Sequence, residues 1–289
     1  ADCVECHMPP TTYMGVDPRH EHAFRVPRPD FTLSQGTPNA CNQCHADRDA
    51  NWALEAIKQG YGRWPRGHQQ YAGVFNAARR GEMNAVSLLQ ALAMNTEQPE
   101  IARATAYGYL GNALDRTTMM LVQQGLNDPD PLVRQGALSA LENVPLQHRL
   151  IALPAVWDTV RSVRIQAARL VATYPREQIG VERGAMIDQV LEEYIEAQQF
   201  NAERPEAQLN LAGLYVDQQR FTDAELAYRK ALQLQPQFIP AYINFAQMLS
   251  DRVRETEAGN LLEEGREQVP DSADLLHALG LSQVRRKDL

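Results

Sequence analysis

The residues with chemistry to offer crowd into the first quarter of the chain. Cys3-Val4-Glu5-Cys6-His7 and Cys41-Asn42-Gln43-Cys44-His45 each spell C-x-x-C-H, and together they use all four cysteines. Two thiols three positions apart, followed at once by an imidazole, form the pattern of c-type haem attachment. The thiols become thioethers to one porphyrin and the adjacent histidine becomes the proximal iron ligand. One match could arise by chance; two that exhaust the cysteines are specific. The spacing therefore assigns two haem c groups per chain, bound through Cys3, Cys6, Cys41 and Cys44, with His7 and His45 on iron.

Other chemistry fits these residues less well. Two C-x-x-C pairs can hold zinc, but 34 residues stand between Cys6 and Cys41. A zinc ribbon has about 15–20 there and asks for no histidine after each pair. Disulfides suit an exported protein, yet they leave both histidines unexplained.

Each iron then needs a sixth ligand or stays open. The head supplies His20, His22 and His68, besides Met8 and Met14. Met8 follows His7 too closely to swing to the far face of the same haem. Three spare histidines for two haems point to bis-His ligation, with His22 and His68 as distal ligands and His20 as the alternative. Which histidine serves which haem, and whether a ligand crosses to a neighbouring chain, the sequence leaves open. Arg19, Arg25 and Arg28 are candidates for the propionates, because a guanidinium fork matches a carboxylate. In Phe24-Arg25-Val26-Pro27-Arg28-Pro29-Asp30 the prolines fix φ and hold their predecessors extended, so an extended strap is expected. The head has few large apolar residues, so porphyrin faces must supply much of its core.

The elements that position these groups come from the rest of the chain. It has 289 residues, with 28 Lys and Arg against 36 Asp and Glu, a formal charge of −8. A net-negative chain with no basic block argues against nucleic acid as its partner. No stretch approaches the ~20 apolar residues of a spanning helix, and the start lacks the charged and apolar regions of a signal peptide. Beyond Tyr71 the sequence turns rich in Ala and Leu with helical periodicity. The fold expected is mainly α: an irregular haem-packed head over 1–80, helical repeats over 81–182, and a second repeat block over 183–289.

Both blocks are read from their periods. Ile101-Ala102-Arg103-Ala104-Thr105-Ala106, Leu132-Val133-Arg134-Gln135-Gly136-Ala137 and Ser162-Val163-Arg164-Ile165-Gln166-Ala167 line up, with arginines 31 and 30 residues apart. Asp130 is an expected N-cap with Pro131 at the first helical position. These segments resemble the second helix of HEAT-type repeats. Further on, Ala212, Ala246 and Gly280 are spaced by 34, as are Asn210 and Asn244, Ala224 and Ala258, and Pro236 and Pro270. This block resembles tetratricopeptide repeats, with units at 203–236 and 237–270 and a third from Pro270 that stops at Leu289. The expectation is a native chain that continues, or a partner that covers that end. His148 and His277 read as ordinary residues of the repeats.

Cys3-x-x-Cys6-His7-Met8-Pro9, then Asp17, Arg19, His22, Phe24, Val26, Pro27 and Pro29, then Pro38-Asn39-Ala40-Cys41-x-x-Cys44-His45 and Trp52, resemble bacterial multihaem cytochromes c with C-terminal HEAT and tetratricopeptide repeats. By that resemblance His22 and His68 match the family's extra histidines, and further haem motifs upstream are expected. The Cys-x-x-Cys-His-Met-Pro segment is also similar to pentahaem nitrite-reductase-type cytochromes, but the C-x-x-C-K of their catalytic haem does not occur here. The expected function is electron transfer without catalysis, in the periplasm or outside the cell. The repeats would meet a redox partner or copies of the same chain, extending to a homo-oligomer or haem-wire filament. The competing readings are a subunit of a haem reductase with one open iron, and a partner-docking redox sensor.

Overall fold

A computed structural model describes residues 4, 8, 10–13, 15–20, 26–62 and 69–286. The chain divides into two units, Ala1–Gln98 and Pro99–Leu289. Among the described residues it is mainly α-helical, with a single two-stranded ribbon.

The first unit opens on that ribbon. β1 (Pro10–Tyr13) and β2 (Asp17–His20) pair antiparallel, Pro10 opposite His20 and Tyr13 opposite Asp17, and Gly15 takes the left-handed conformation their turn needs. Both strands are exposed. Helix α1 (Pro29–Gln35) follows, then the single turn α2 (Cys41–Cys44), α3 (Ala50–Tyr61), α4 (Ala72–Arg79) and α5 (Ala85–Met94). The strap expected over 24–30 is shorter than read. Among its described residues only Val26 to Arg28 are irregular, and Pro29 is the first residue of α1. Proline suits that position because the first turn has no use for its missing N–H. α1 and α2 both pack on α3.

The second unit is an array of packed helices. α6 (Glu100–Leu110), α7 (Arg116–Gly125), α8 (Pro131–Ser139), α9 (Leu146–Arg149), a 3-10 segment (Leu150–Trp157), α10 (Arg161–Leu170) and α11 (Arg176–Ile179) lead to the long α12 (Val181–Gln199). α6, α8, α10 and α12 pack in succession. Asp130 caps α8 as its position demands, accepting from the Leu132 amide at 2.8 Å. At Gly136 a side chain would run into the backbone of Ala104, so only glycine lets α6 and α8 approach this closely.

The recurring arginines bind this row together. Arg103 pairs with Asp128. Arg134 forks onto Asp158 at 2.7 and 2.9 Å and also donates to the carbonyls of Asp128 and Pro129. Arg164 forks onto Glu193 and donates to the carbonyls of Asp158 and Thr159. Arg134 and Arg164 thus each join their own helix to the preceding turn and to a carboxylate further along, and Arg103 likewise reaches a carboxylate further along. Charges this withdrawn from water must be paired, and the fork geometry pairs them well.

The array continues through α13 (Pro205–Asp217), α14 (Phe221–Leu234), α15 (Ile239–Asp251), α16 (Glu255–Gln268) and α17 (Ala273–Arg286). Consecutive helices pack together, and the 34-residue period places Ala212, Ala246, Ala224 and Ala258 in the core. Gln219 and Val253, also 34 apart, both have positive φ in the turns between helices, at 59° and 61°. A β-branched residue is strained there, and Val253 is 90% exposed.

Two outcomes follow for stability. Val253→Gly relieves the strained turn without removing a buried contact and should stabilise by about 1 kcal/mol, read as a higher thermal midpoint; a lower midpoint would contradict the strain. The Asp158 and Glu193 carboxyls are held below their ordinary values, Asp158 by the Arg134 fork and the Val160 amide against its burial, Glu193 first by Arg164. Depressed carboxyls stabilise fully above their unfolded values of 3.8 and 4.5, and lose that contribution as pH falls through the folded ones. The thermal midpoint should therefore drop on acidification below that range, and Glu193→Gln should blunt the drop; an unchanged acid slope would contradict it.

Candidate functional site

Of the residues singled out for chemistry, Cys3, Cys6, His7, Met14, His22, Arg25 and His68 lie outside the described residues. The second motif, with Met8, Arg19, His20 and Arg28, can be followed in detail.

α2 is the motif itself. Its helical turn sets Cys41 and Cys44 three positions apart, hence on the same side, and the His45 amide closes it by donating to the Cys41 carbonyl at 2.9 Å. A single turn is not stable alone; side chains on either side hold it. Asn39, 9% exposed, accepts from the Asn42 amide at 3.1 Å and donates to Asn42 Oδ1 at 2.8 Å and to Thr32 Oγ1 in α1 at 3.0 Å. Asn42 in turn donates to the Arg48 carbonyl at 2.7 Å. The network ties the motif to the helix before it and the loop after it.

α3 forms the wall opposite. Asp49 caps it, accepting from the Trp52 amide at 2.8 Å, and that bond above all holds its carboxyl below the usual range. One face of α3 presents Trp52, Ala53, Ala56, Ile57 and Tyr61. With Ala40, Cys41, Cys44 and His45 these line an open cleft of about 270 Å³. The cleft wall is apolar, with the two sulfurs and the imidazole at its edge. The His45 ring lies against the Trp52 indole, centroids 4.6 Å apart and planes tilted by 54°. Cys44 is an exposed thiol in no disulfide.

The remaining candidates are placed elsewhere. His20, exposed at the end of β2, has Nδ1 2.7 Å from the Met8 carbonyl. A carbonyl only accepts, so Nδ1 is the donor of this bond. Arg19 pairs with Asp17 at 3.1 Å and lies over Tyr13. Arg28 is buried, forked onto Asp30 at 2.8 and 2.6 Å and stacked 3.7 Å over the Phe31 ring. Its role in this structure is to anchor the start of α1.

One expectation is corrected. The head was read as metal-binding, but among the described residues no group of three or more His, Cys, Asp or Glu side chains is placed to hold a metal ion. Arg19 and Arg28 take the nearby Asp17 and Asp30, and α3 offers the motif an apolar face. Among the described residues there is therefore no cage of side chains for a metal ion. Haem iron is a different case, since the porphyrin supplies its equatorial ligands and the protein only the axial ones.

Reading the sequence missed Asn39 and Asn42 as the support of the motif and Trp52 as the neighbour of His45. The signals were present: asparagine three residues before an amide is a capping pattern, and Trp52, Ala53, Ala56 and Ile57 recur at helical spacing.

No protein-family model matches the chain, and no curated protein matches it. Among solved structures it is similar to one titled Assembly Chaperone of RpL4 (Acl4), residues 1–338, at 15% identity over 76% of this chain and 96% of that one, with a TM-score of 0.30. So low a score says nothing of this chain's function.

Asn39→Ala removes the cap and leaves the Asn42 and Thr32 groups without their partner. It should destabilise the first unit by about 1–2 kcal/mol and raise amide exchange at Asn42 to His45 relative to the native chain. Unchanged exchange there would show that the motif holds its turn without the network.

Proposed function

We propose that the chain is an electron-transfer protein with two haem c groups, one at each C-x-x-C-H motif, and is not itself an enzyme. The observation that carries this reading is the pair of motifs that uses every cysteine. The second motif supports it: both thiols lie on one side of a held turn, beside an apolar cleft rather than a cage of charged ligands. A flat apolar group with an iron centre suits such donors.

Bound haem would supply a one-electron iron couple. The chain's own residues do the rest. Cys41 and Cys44 would hold the group covalently and His45 would offer an imidazole nitrogen to iron. Trp52, Ala53, Ala56 and Ile57 keep water from one side, which tunes the couple through the local dielectric. Cys3, Cys6 and His7 would do the same at the first motif. His22 and His68, with His20 as alternative, would complete bis-His ligation, which gives lower potentials than His/Met. The head would then pack around its haems.

The helix pairs are read as HEAT-like and then tetratricopeptide repeats of a multihaem cytochrome c, acting in the periplasm or outside the cell. No helix among the described residues is long and apolar enough to cross a membrane. The repeats carry two open grooves. One, of about 670 Å³, is lined by polar side chains including Thr105, Asn112, Gln135 and Gln166. The other, of about 700 Å³, includes Arg229, Tyr242, Phe245 and Glu257. Surfaces of this size and mixed polarity suit a redox partner protein or a second copy of the chain.

Visible spectra of the purified chain, oxidised, reduced and then exposed to carbon monoxide, test the reading. Sharp reduced bands that carbon monoxide leaves unchanged are expected. A carbon monoxide shift would mean an open iron and favour a reductase or sensor; the absence of a Soret band would remove haem altogether.

A further inference from the structure

Three features of the second motif converge on one side chain. The Trp52 indole rests against the His45 imidazole at 4.6 Å. It also forms part of the apolar wall that faces Cys41 and Cys44. Its own backbone is pinned, because Asp49 accepts the Trp52 amide at the start of α3. His45 is exposed just past the end of α2, where its amide donates to the Cys41 carbonyl at 2.9 Å and its carbonyl accepts from the Arg48 amide at 3.0 Å, so its backbone is held on both sides. Beyond the backbone, its imidazole rests on the Trp52 indole.

We propose that Trp52 is the positioning residue for His45. The indole restricts the rotation of the imidazole and fixes the plane in which its nitrogen is offered to an axial partner, while α3 carries the indole as a rigid element. Aromatic pairs of this kind prefer tilted or offset arrangements, which favours one ring orientation. This rests on the haem reading given above; the contact itself does not. Trp52 acts through His45 and touches no reacting atom.

The test uses the full chain with Cys3→Ala and Cys6→Ala, made in cells that attach haem to C-x-x-C-H, so that only the second motif can be loaded. Covalent haem is measured first. If this chain carries none, the haem reading of the motif fails, whatever Trp52 does. If it is loaded, Trp52→Leu should keep the thioether-bound haem but broaden the low-spin electron paramagnetic resonance signal and shift the midpoint potential. Trp52→Phe, which keeps a ring against His45, should restore both. Met83→Ala, at a fully exposed position outside the cleft, should leave the resonance signal unchanged. Should Trp52→Leu not fold by circular dichroism, Trp52→Met provides the same comparison with an unbranched helix-forming side chain. A loaded, folded Leu or Met variant with native signal and potential would overturn the proposal, as would a phenylalanine variant that rescues nothing.

Discussion

A guanidinium drawn into the packed side of a helix array must meet a carboxylate there, and the second unit is organised around that requirement. Arg103, Arg134 and Arg164 each leave one helix of the row and end on Asp128, Asp158 and Glu193. Two of them also satisfy carbonyls of the turn before their own helix. The pairing fixes how far each helix lies from the next, and the small residues that face one another, down to the glycine at 136, permit that distance. A row built this way depends on ionised carboxylates, so its stability is expected to fall in acid.

The motif at Cys41 depends on a different economy. A four-residue turn has too few internal hydrogen bonds to hold itself, so its order is borrowed from Asn39, Asn42 and Thr32 on one side and from the capped start of α3 on the other. The consequence is chemical. The two sulfurs and one imidazole stand beside an apolar wall on a held turn, and such preorganisation would lower the entropy lost if a rigid planar group were attached there. The same wall carries the indole against His45, so the support of the motif and the environment of its imidazole are one structure.

Much of the architecture was legible in the sequence, for physical reasons. The arginines at 103, 134 and 164 recur with the helices that carry them, so the row could be counted before it was seen. Their partners could not, since Asp128, Asp158 and Glu193 stand 25, 24 and 29 residues on and follow no single spacing. The left-handed turns at Gln219 and Val253 were hidden because neither residue is the glycine that such turns usually announce. Pro29 was read as part of a strap, although proline serves equally well to begin a helix, and the buried Arg28–Asp30 fork decided between the two. At the candidate site the cysteine and histidine spacing was plain. The indole beside His45 was not, because a tryptophan seven residues on reveals its contact only once α3 folds back on α2. The metal-binding reading finds no group of three or more ligand side chains among the described residues.

The central claim is covalent haem on both motifs, and the intact mass of the full chain measures it most directly. The chain would be produced in cells that attach haem to exported C-x-x-C-H sequences and weighed after denaturation, which strips any haem held without a bond. The account predicts a mass above that of the polypeptide by two haem groups, falling by one when Cys41→Ala and Cys44→Ala are introduced together. A native chain that weighs only its polypeptide would contradict it.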